Sequence, residues 1–322
     1  MAAIGYGSSI SCGSGFEGHV FMAQAQDIAR MTPLQALSES IVSTVEAVGA
    51  STVAVRGRGR HALGCGLVWR PGILVTAAHV FGRAPATASV ITARQATADL
   101  TLVGTDSPTD LAVFRLPNEE LPAVGTSSSA DVRAGQLALL VGRSQGAEVT
   151  ASLSMIYRVS GHWQTWLGGH IDRLIRLDGG LQDGLSGAPV ADAAGKVFGM
   201  ATSALSRTSG IIVPETTISR VVDELLARGH VARAFLGISA QPAEAGLLVT
   251  AMLRDGPAAK AGLLVGDIVV DVGEHRAASV PELRDALAGN IGKSVRVSLI
   301  RGGAPAEVDV TVGQWPAEAR AC

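Results

Sequence analysis

The chain has 322 residues, enough for two domains, and 47% of them are hydrophobic while 17% are charged and 4% aromatic. That balance excludes a disordered protein, and a net charge of −2 offers no attraction for nucleic acid or an anionic membrane. No apolar run reaches the roughly 18 residues that a membrane-spanning helix needs. Cys12, Cys65 and Cys322 are too scattered for a disulfide framework or a metal site and read as free thiols of a reducing compartment.

Residues 1–31 are rich in Gly and Ser and lack the positive and continuous apolar segments of a signal peptide. They are expected to form a flexible arm, and the expected location is cytoplasmic; a start at Met22 or Met31 leaves a periplasmic or secreted location as the alternative. Thr32-Pro33 is a helix start, and Leu34, Leu37, Ile41, Val45 and Val48 recur at helical spacing, so a short amphipathic helix leads into the core. From Ser51 to about Val213 the pattern changes to short apolar runs such as "STVAV", "GILVTAA", "DLAVFRL", "LALLVG" and "GIIV", separated by Gly, Pro, Asp and Ser. Many short strands without interleaved helices predict a β-barrel or sandwich. Arg56, Arg58, Arg60 and His61 read as a solvated loop, and Trp163 and Trp166 as packing residues of this region.

"PETTISRVVDELLARGH" reads as one helix with Val221, Val222, Leu225 and Leu226 on its apolar face and Gly229 at its end. A smaller module follows. "AFLGISA", "GLLVTAML" and "VGDIVVDV" read as strands, "GPAAKAGL" and "SVPELRDALAGN" as helices, and "KSVRVSLIRGG" with "EVDVTVGQW" as a hairpin. "PAEARAC" is a loose tail.

The chemistry turns on "DGLSGAPV", which sets Ser186 between glycines. Nucleophilic serine catalysis needs a base beside the hydroxyl and a carboxylate to orient that base. His79 ends the apolar run "ILVTAAHVF", and Asp110 begins the apolar strand "DLAVFRL". His79, Asp110 and Ser186 follow in chain order with gaps of 31 and 76 residues. His162 and His170 do not have metal-ligand spacing, and Cys65 in "GCG" reads as a small buried filler. No metal or other cofactor is expected.

"TAAH", "DLAVFRL" and "GLSGAP" together resemble the active-site motifs of trypsin-like serine proteases, and the module after residue 230 resembles a PDZ domain. In this order they resemble the HtrA (DegP-like) family over roughly residues 35–314. The resemblance implies a mostly β fold: a trypsin-like double antiparallel β-barrel over residues 32–228, a small α+β PDZ domain over 230–314, and a tail over 315–322. It implies hydrolysis of peptide bonds in unfolded or misfolded proteins through an acyl-enzyme, with His79 as general base, Asp110 as orienting carboxylate and Ser186 as nucleophile. Gly184 and Ser186 match the oxyanion-hole donors. Thr202 matches a hydroxyl that supports the aspartate, and Ala201, Thr202 and Ser203 edge an uncharged pocket suited to small or medium apolar side chains. Phe235, Leu236, Gly237 and Ile238 match the PDZ loop that receives a peptide's terminal carboxylate. The implied partners are unfolded polypeptides and peptide C-termini, and the implied assembly is a homotrimer.

The chain departs from the family's "GNSGGP" by Leu185 and Ala188. Leu185 offers no polar bond to brace the oxyanion loop. An inactive peptide-binding scaffold or chaperone is the alternative this raises. An α/β-hydrolase elbow at "GLSGA" would need His230 or His275 as base and a strand–helix alternation that the residues before Ser186 do not show.

Overall fold

The computed structural model describes residues 32–56, 63–81, 87–92, 95–117, 121–145 and 147–315. The N-terminal arm, Cys12, Arg58, Arg60, His61, Cys322 and most of the tail lie outside the described residues.

Helix α1 (Pro33–Gly49) starts where Thr32 and Gln35 form a reciprocal capping box, with proline at the first helical position. Its apolar stripe is buried only toward the C-terminal end. Val48 is buried, and Ile41 and Val45 are partly covered, whereas Leu34 is 76% exposed. The spacing predicts the helix correctly but cannot say how far it runs past the body it packs on.

Strands β1 (Thr52–Arg56), β2 (Leu63–Arg70), β3 (Ile73–Ala77), β4 (Thr87–Ile91), β5 (Thr97–Asp106) and β6 (Leu111–Arg115) close into a barrel in the order β1-β2-β3-β6-β5-β4. Closure removes free sheet edges. Every residue of β3 is buried, and Leu67, Leu74, Leu100, Leu111 and Phe114 fill the interior.

A second barrel contains β7 (Leu137–Arg143), β8 (Val149–Ser160), β11 (Leu174–Leu177), β12 (Pro189–Ala191), β13 (Val197–Thr202) and β14 (Ile211–Pro214), in the order β11-β14-β13-β12-β7-β8. Between β8 and β11, the short pair β9 (Trp163–Gln164) and β10 (His170–Ile171) makes a separate hairpin. Trp163 is half-buried and packs on the core, but Trp166 at the hairpin tip is 75% exposed, which corrects its expected packing role. Helix α2 (Glu215–Arg228) buries Val221, Val222 and Leu225 and ends at Gly229 in the left-handed conformation, φ 72°.

The remainder is a mixed unit. Strands β15 (Ala234–Phe235) and β22 (Gly313–Gln314) pair with each other. Strands β16 (Ile238–Ala243), β17 (Gly246–Met252), β18 (Ile268–Val272), β20 (Ser294–Arg301) and β21 (Ala304–Thr311) form a sheet in that order, with β19 (His275–Arg276) beside β18. Helices α3 (Pro257–Lys260) and α4 (Val280–Leu287) complete it around Leu247, Val269, Leu283 and Leu299. The β20–β21 hairpin turns through Gly302 and Gly303 at φ 58° and 86°, the two positive angles that a tight primed turn requires.

The expected fold class is therefore present: mostly β, a double antiparallel barrel followed by a small α+β unit. Polar contacts join the two parts. Arg233 pairs with the buried Asp106 at 2.7 Å, and Gln164 donates to Asp285 and, at 3.1 Å, to the carbonyl of Pro281 on α4.

Candidate active site

β3 and β6 run antiparallel with Ala77 opposite Leu111, so the residues just beyond that pair meet at one barrel end. The Ala78 N–H donates to the Asp110 carbonyl at 3.1 Å, and His79 follows in a short 3-10 turn, Ala78–Phe81. Pro108 sits in the turn Ser107–Thr109, after which Asp110 adopts the left-handed conformation at φ 57°. Aspartate is among the few non-glycine residues that tolerate this region. The bend turns its carboxylate back on His79. Asp110 Oδ1 accepts from the His79 backbone N–H at 2.8 Å, and Oδ2 lies 2.8 Å from His79 Nδ1. The Thr202 hydroxyl also donates to Oδ2.

The Asp110 side chain is 4% exposed and the His79 side chain 36%. A buried carboxylate only accepts, so Nδ1 carries the proton and Nε2 is left as a base on the open side.

"DGLSGAPV" folds as two consecutive turns. Leu185 N–H donates to Gln182 O at 3.1 Å, and Ala188 N–H to Leu185 O at 3.1 Å. The third residue of each turn is a glycine at positive φ, Gly184 at 86° and Gly187 at 90°, which is the signature of type II turns. At Gly187 a side chain is also sterically barred, because a Cβ would fall 2.0 Å from the Cys65 carbonyl oxygen. Between the turns Ser186 is held by its carbonyl, which accepts from Cys65 N–H at 2.8 Å. Among the described residues neither the Gly184 nor the Ser186 N–H donates to a protein acceptor. Gly64 marks where the two barrels meet at the site: a Cβ there would lie 2.6 Å from Val80 Cγ2 and 2.9 Å from Ser186 O.

Leu185 does not brace the loop by polar bonds; it braces it by packing. It is 5% exposed in the second barrel's core with Cys65, Leu140 and Ile156, in space that Gly142 leaves open. Ala188 is fully buried in the same core. Cys65 is more than a filler. Its thiol lies 3.1 Å from Gly184 O as donor and accepts from Arg143 N–H at 3.3 Å, and burial pushes its pKa up to about 11. The two glycines flanking it in β2 are the one sequence signal of that close approach.

Two expectations follow. Leu185→Ala should destabilise the barrel unit by about 2–5 kcal/mol in urea unfolding, the range for an emptied buried leucine site. Gly184→Ala meets open space but is strained at φ 86°. If the Gly184 N–H serves as an oxyanion donor, the backbone shift that relieves this strain should lower kcat by about 10²–10³, measured on a chromogenic peptide, with a loss of about 1–2 kcal/mol in unfolding.

Ala201 and Thr202 are buried at the end of β13, and Ser203 beyond them is exposed. The Ser186 hydroxyl lies 3.0 Å from the Ser203 hydroxyl, a contact the sequence does not signal. In the smaller unit, Leu236 is buried and Gly237 has φ 79°. The Leu236 and Gly237 carbonyls accept from Ala258 and Leu253 at 2.9 and 2.8 Å, while their own N–H groups have no backbone partner among the described residues. Phe235 stacks edge-on against Trp315, ring centroids 4.7 Å apart, and Ile238 opens β16, an edge strand beside α4.

Residues 64–200 match the trypsin-like peptidase domain family and residues 234–312 the PDZ domain family. A probable periplasmic serine endoprotease, DegP-like, from Chlamydia trachomatis is 32% identical over 235 residues, 67% of this chain and 47% of that protein. The chain thus spans about half the length of that relative. The crystal structure of the serine endoprotease from Yersinia pestis is similar with a TM-score of 0.73 at 26% identity, covering 86% of this chain and 98% of that one. The HtrA-type protease AlgW with decapeptide shares the fold, with a TM-score of 0.73 at 22% identity over 86% of this chain and 99% of that one.

These relatives correct the expected cytoplasmic location, because several of them are named periplasmic. The expectation rested on an absent signal; the unpaired cysteines separately read as thiols of a reducing compartment. Cys65 is free and fully buried, and a thiol shielded in this way stays reduced in either compartment, so its state says nothing of location.

Proposed function

The chain belongs to the HtrA/DegP-like family of trypsin-type proteases with a PDZ domain, and on that premise we propose that it is a serine endopeptidase acting on unfolded or misfolded polypeptides. The protease unit in this reading is residues 32–228 and the PDZ unit 230–314.

The observation that carries the reading is the ladder Thr202–Asp110–His79 at the mouth where Ser186 sits, beside two N–H groups with no protein acceptor. Ser186 Oγ attacks the scissile carbonyl as its proton passes to His79 Nε2. Asp110 holds the ring and stabilises the imidazolium. The carbonyl oxygen becomes negative and is met by the Gly184 and Ser186 N–H groups, dipoles already in place before charge develops. His79 then returns the proton to the leaving amine, and water releases the acyl group by the reverse use of the same base. Ala201, Thr202 and Ser203 edge a pocket for an uncharged side chain.

The PDZ unit takes a peptide C-terminus. The unpaired N–H groups of Leu236 and Gly237 receive the carboxylate, and the peptide adds as a strand to the edge of β16. A labelled peptide with a free C-terminus is expected to bind at least tenfold more tightly than its amidated form in fluorescence anisotropy; equal affinity would contradict this role. For hydrolysis, the purified protein is expected to degrade unfolded casein and Ser186→Ala to leave it intact. Casein cleaved at the same rate by both would overturn the assignment.

A further inference from the structure

The Ser186 hydroxyl makes no hydrogen bond to His79 among the described residues; its partners are on Ser203. The two hydroxyl oxygens are 3.0 Å apart, and the Ser203 N–H points at Ser186 Oγ at 3.4 Å. The neighbouring Thr202 hydroxyl is committed to Asp110 and accepts from the Ala204 N–H at 3.1 Å. Two consecutive hydroxyl residues at the end of β13 thus hold opposite ends of the site, one the carboxylate and the other the nucleophile.

We propose that Ser203 is a positioning residue that holds the Ser186 hydroxyl in a resting rotamer away from His79, and that a substrate seated at the pocket edge displaces it. The proposal rests on the reading of Ser186 as nucleophile. Its physical basis is competition. A serine hydroxyl has one proton, and its oxygen occupies one rotamer at a time. While that oxygen faces Ser203, the base at His79 has nothing to deprotonate. Ser186 is buried and Ser203 exposed, so Ser203 stands on the side from which an acyl group enters. The backbone N–H at this position would remain with any residue, and the competing hydroxyl comes from serine.

A net hydrogen bond of ordinary strength favours the resting rotamer about fivefold, leaving about one molecule in six competent. The test is burst-phase acylation of the full chain by a p-nitrophenyl ester. With that preference removed about half the molecules are competent, so Ser203→Ala is expected to raise the acylation rate at saturating ester about threefold. The plateau of the rate–pH profile should rise while its midpoint matches that of the parent. Ser203→Thr keeps the competing hydroxyl, so its acylation rate at saturating ester is expected not to rise, while the added methyl at the pocket edge weakens the ester's apparent affinity. Circular dichroism melting checks that both variants fold, as substitution of an exposed residue predicts.

An alanine variant at or below the parent rate, or equal acceleration in both variants, overturns the proposal. Absence of a burst in all three proteins removes the hydrolytic reading, and the proposal with it; a burst in the parent keeps that reading whatever Ser203 does.

Discussion

His79→Ala is expected to lower kcat on unfolded casein by about 10⁶ while the protein remains folded, the scale at which loss of the base in a serine protease removes the whole nucleophilic pathway. Both halves of this expectation come from the geometry around Asp110. In the proposed reading the imidazole, 36% exposed, is the base, and among the described residues no second histidine lies against Asp110. The buried carboxylate does not become an orphan when the ring is removed. Its Oδ1 keeps the backbone N–H of residue 79 at 2.8 Å, and Oδ2 keeps the Thr202 hydroxyl. A buried charge stripped of its partners would cost several kcal/mol; one that retains two donors costs far less. The measurement is casein turnover alongside the thermal unfolding transition. A loss of less than about 10² in a folded variant would mean that proton transfer does not run through His79.

Asp110→Asn is expected to cost about 10⁴ in kcat, and for a different reason. An amide is nearly the shape of the carboxylate, and asparagine tolerates the left-handed backbone at φ 57° as well as aspartate does. The fold and the position of the ring are therefore kept. What changes is the proton. The carboxylate accepts from His79 Nδ1, so Nε2 is free to accept. An amide nitrogen placed at the same point donates to Nδ1 and leaves the proton on Nε2, where it blocks the base. The loss should shrink when the assay pH is raised and another route to deprotonation opens. A variant within tenfold of the parent at neutral pH would show that the orienting carboxylate is dispensable.

The parts of this fold that were legible in the sequence share a physical signature. The start of α1 was legible because Thr32, Pro33 and Gln35 are the cap itself. The buried strands β3 and β6 appear as continuous apolar runs because both of their faces are covered. The His79 and Asp110 motifs lie at the paired ends of those strands, which is why residues 31 apart meet.

Other parts carried no such mark. The 12-residue β8 has a mostly exposed or half-exposed burial pattern, so "VTASLSMIYRVS" lacks the apolar run of a core strand. "AFLGISA" reads as one strand, yet it breaks at Leu236 and Gly237, where a positive φ turns two N–H groups out of the ladder. Leu185 read as a missing polar brace because its surroundings, Cys65 and the space over Gly142, come from strands far away in the chain. The Ser186–Ser203 contact was invisible for another reason: it depends on which rotamer Ser186 occupies, and no motif encodes that.

The central claim is that Ser186 is a nucleophile activated by His79. Its most direct measurement is covalent labelling of the folded protein by a fluorophosphonate, mapped by mass spectrometry in the parent, Ser186→Ala and His79→Ala. The account predicts one adduct, on the peptide containing Ser186, present in the parent and lost in both variants. A folded parent that stays unlabelled, or an adduct elsewhere that survives both substitutions, would contradict it.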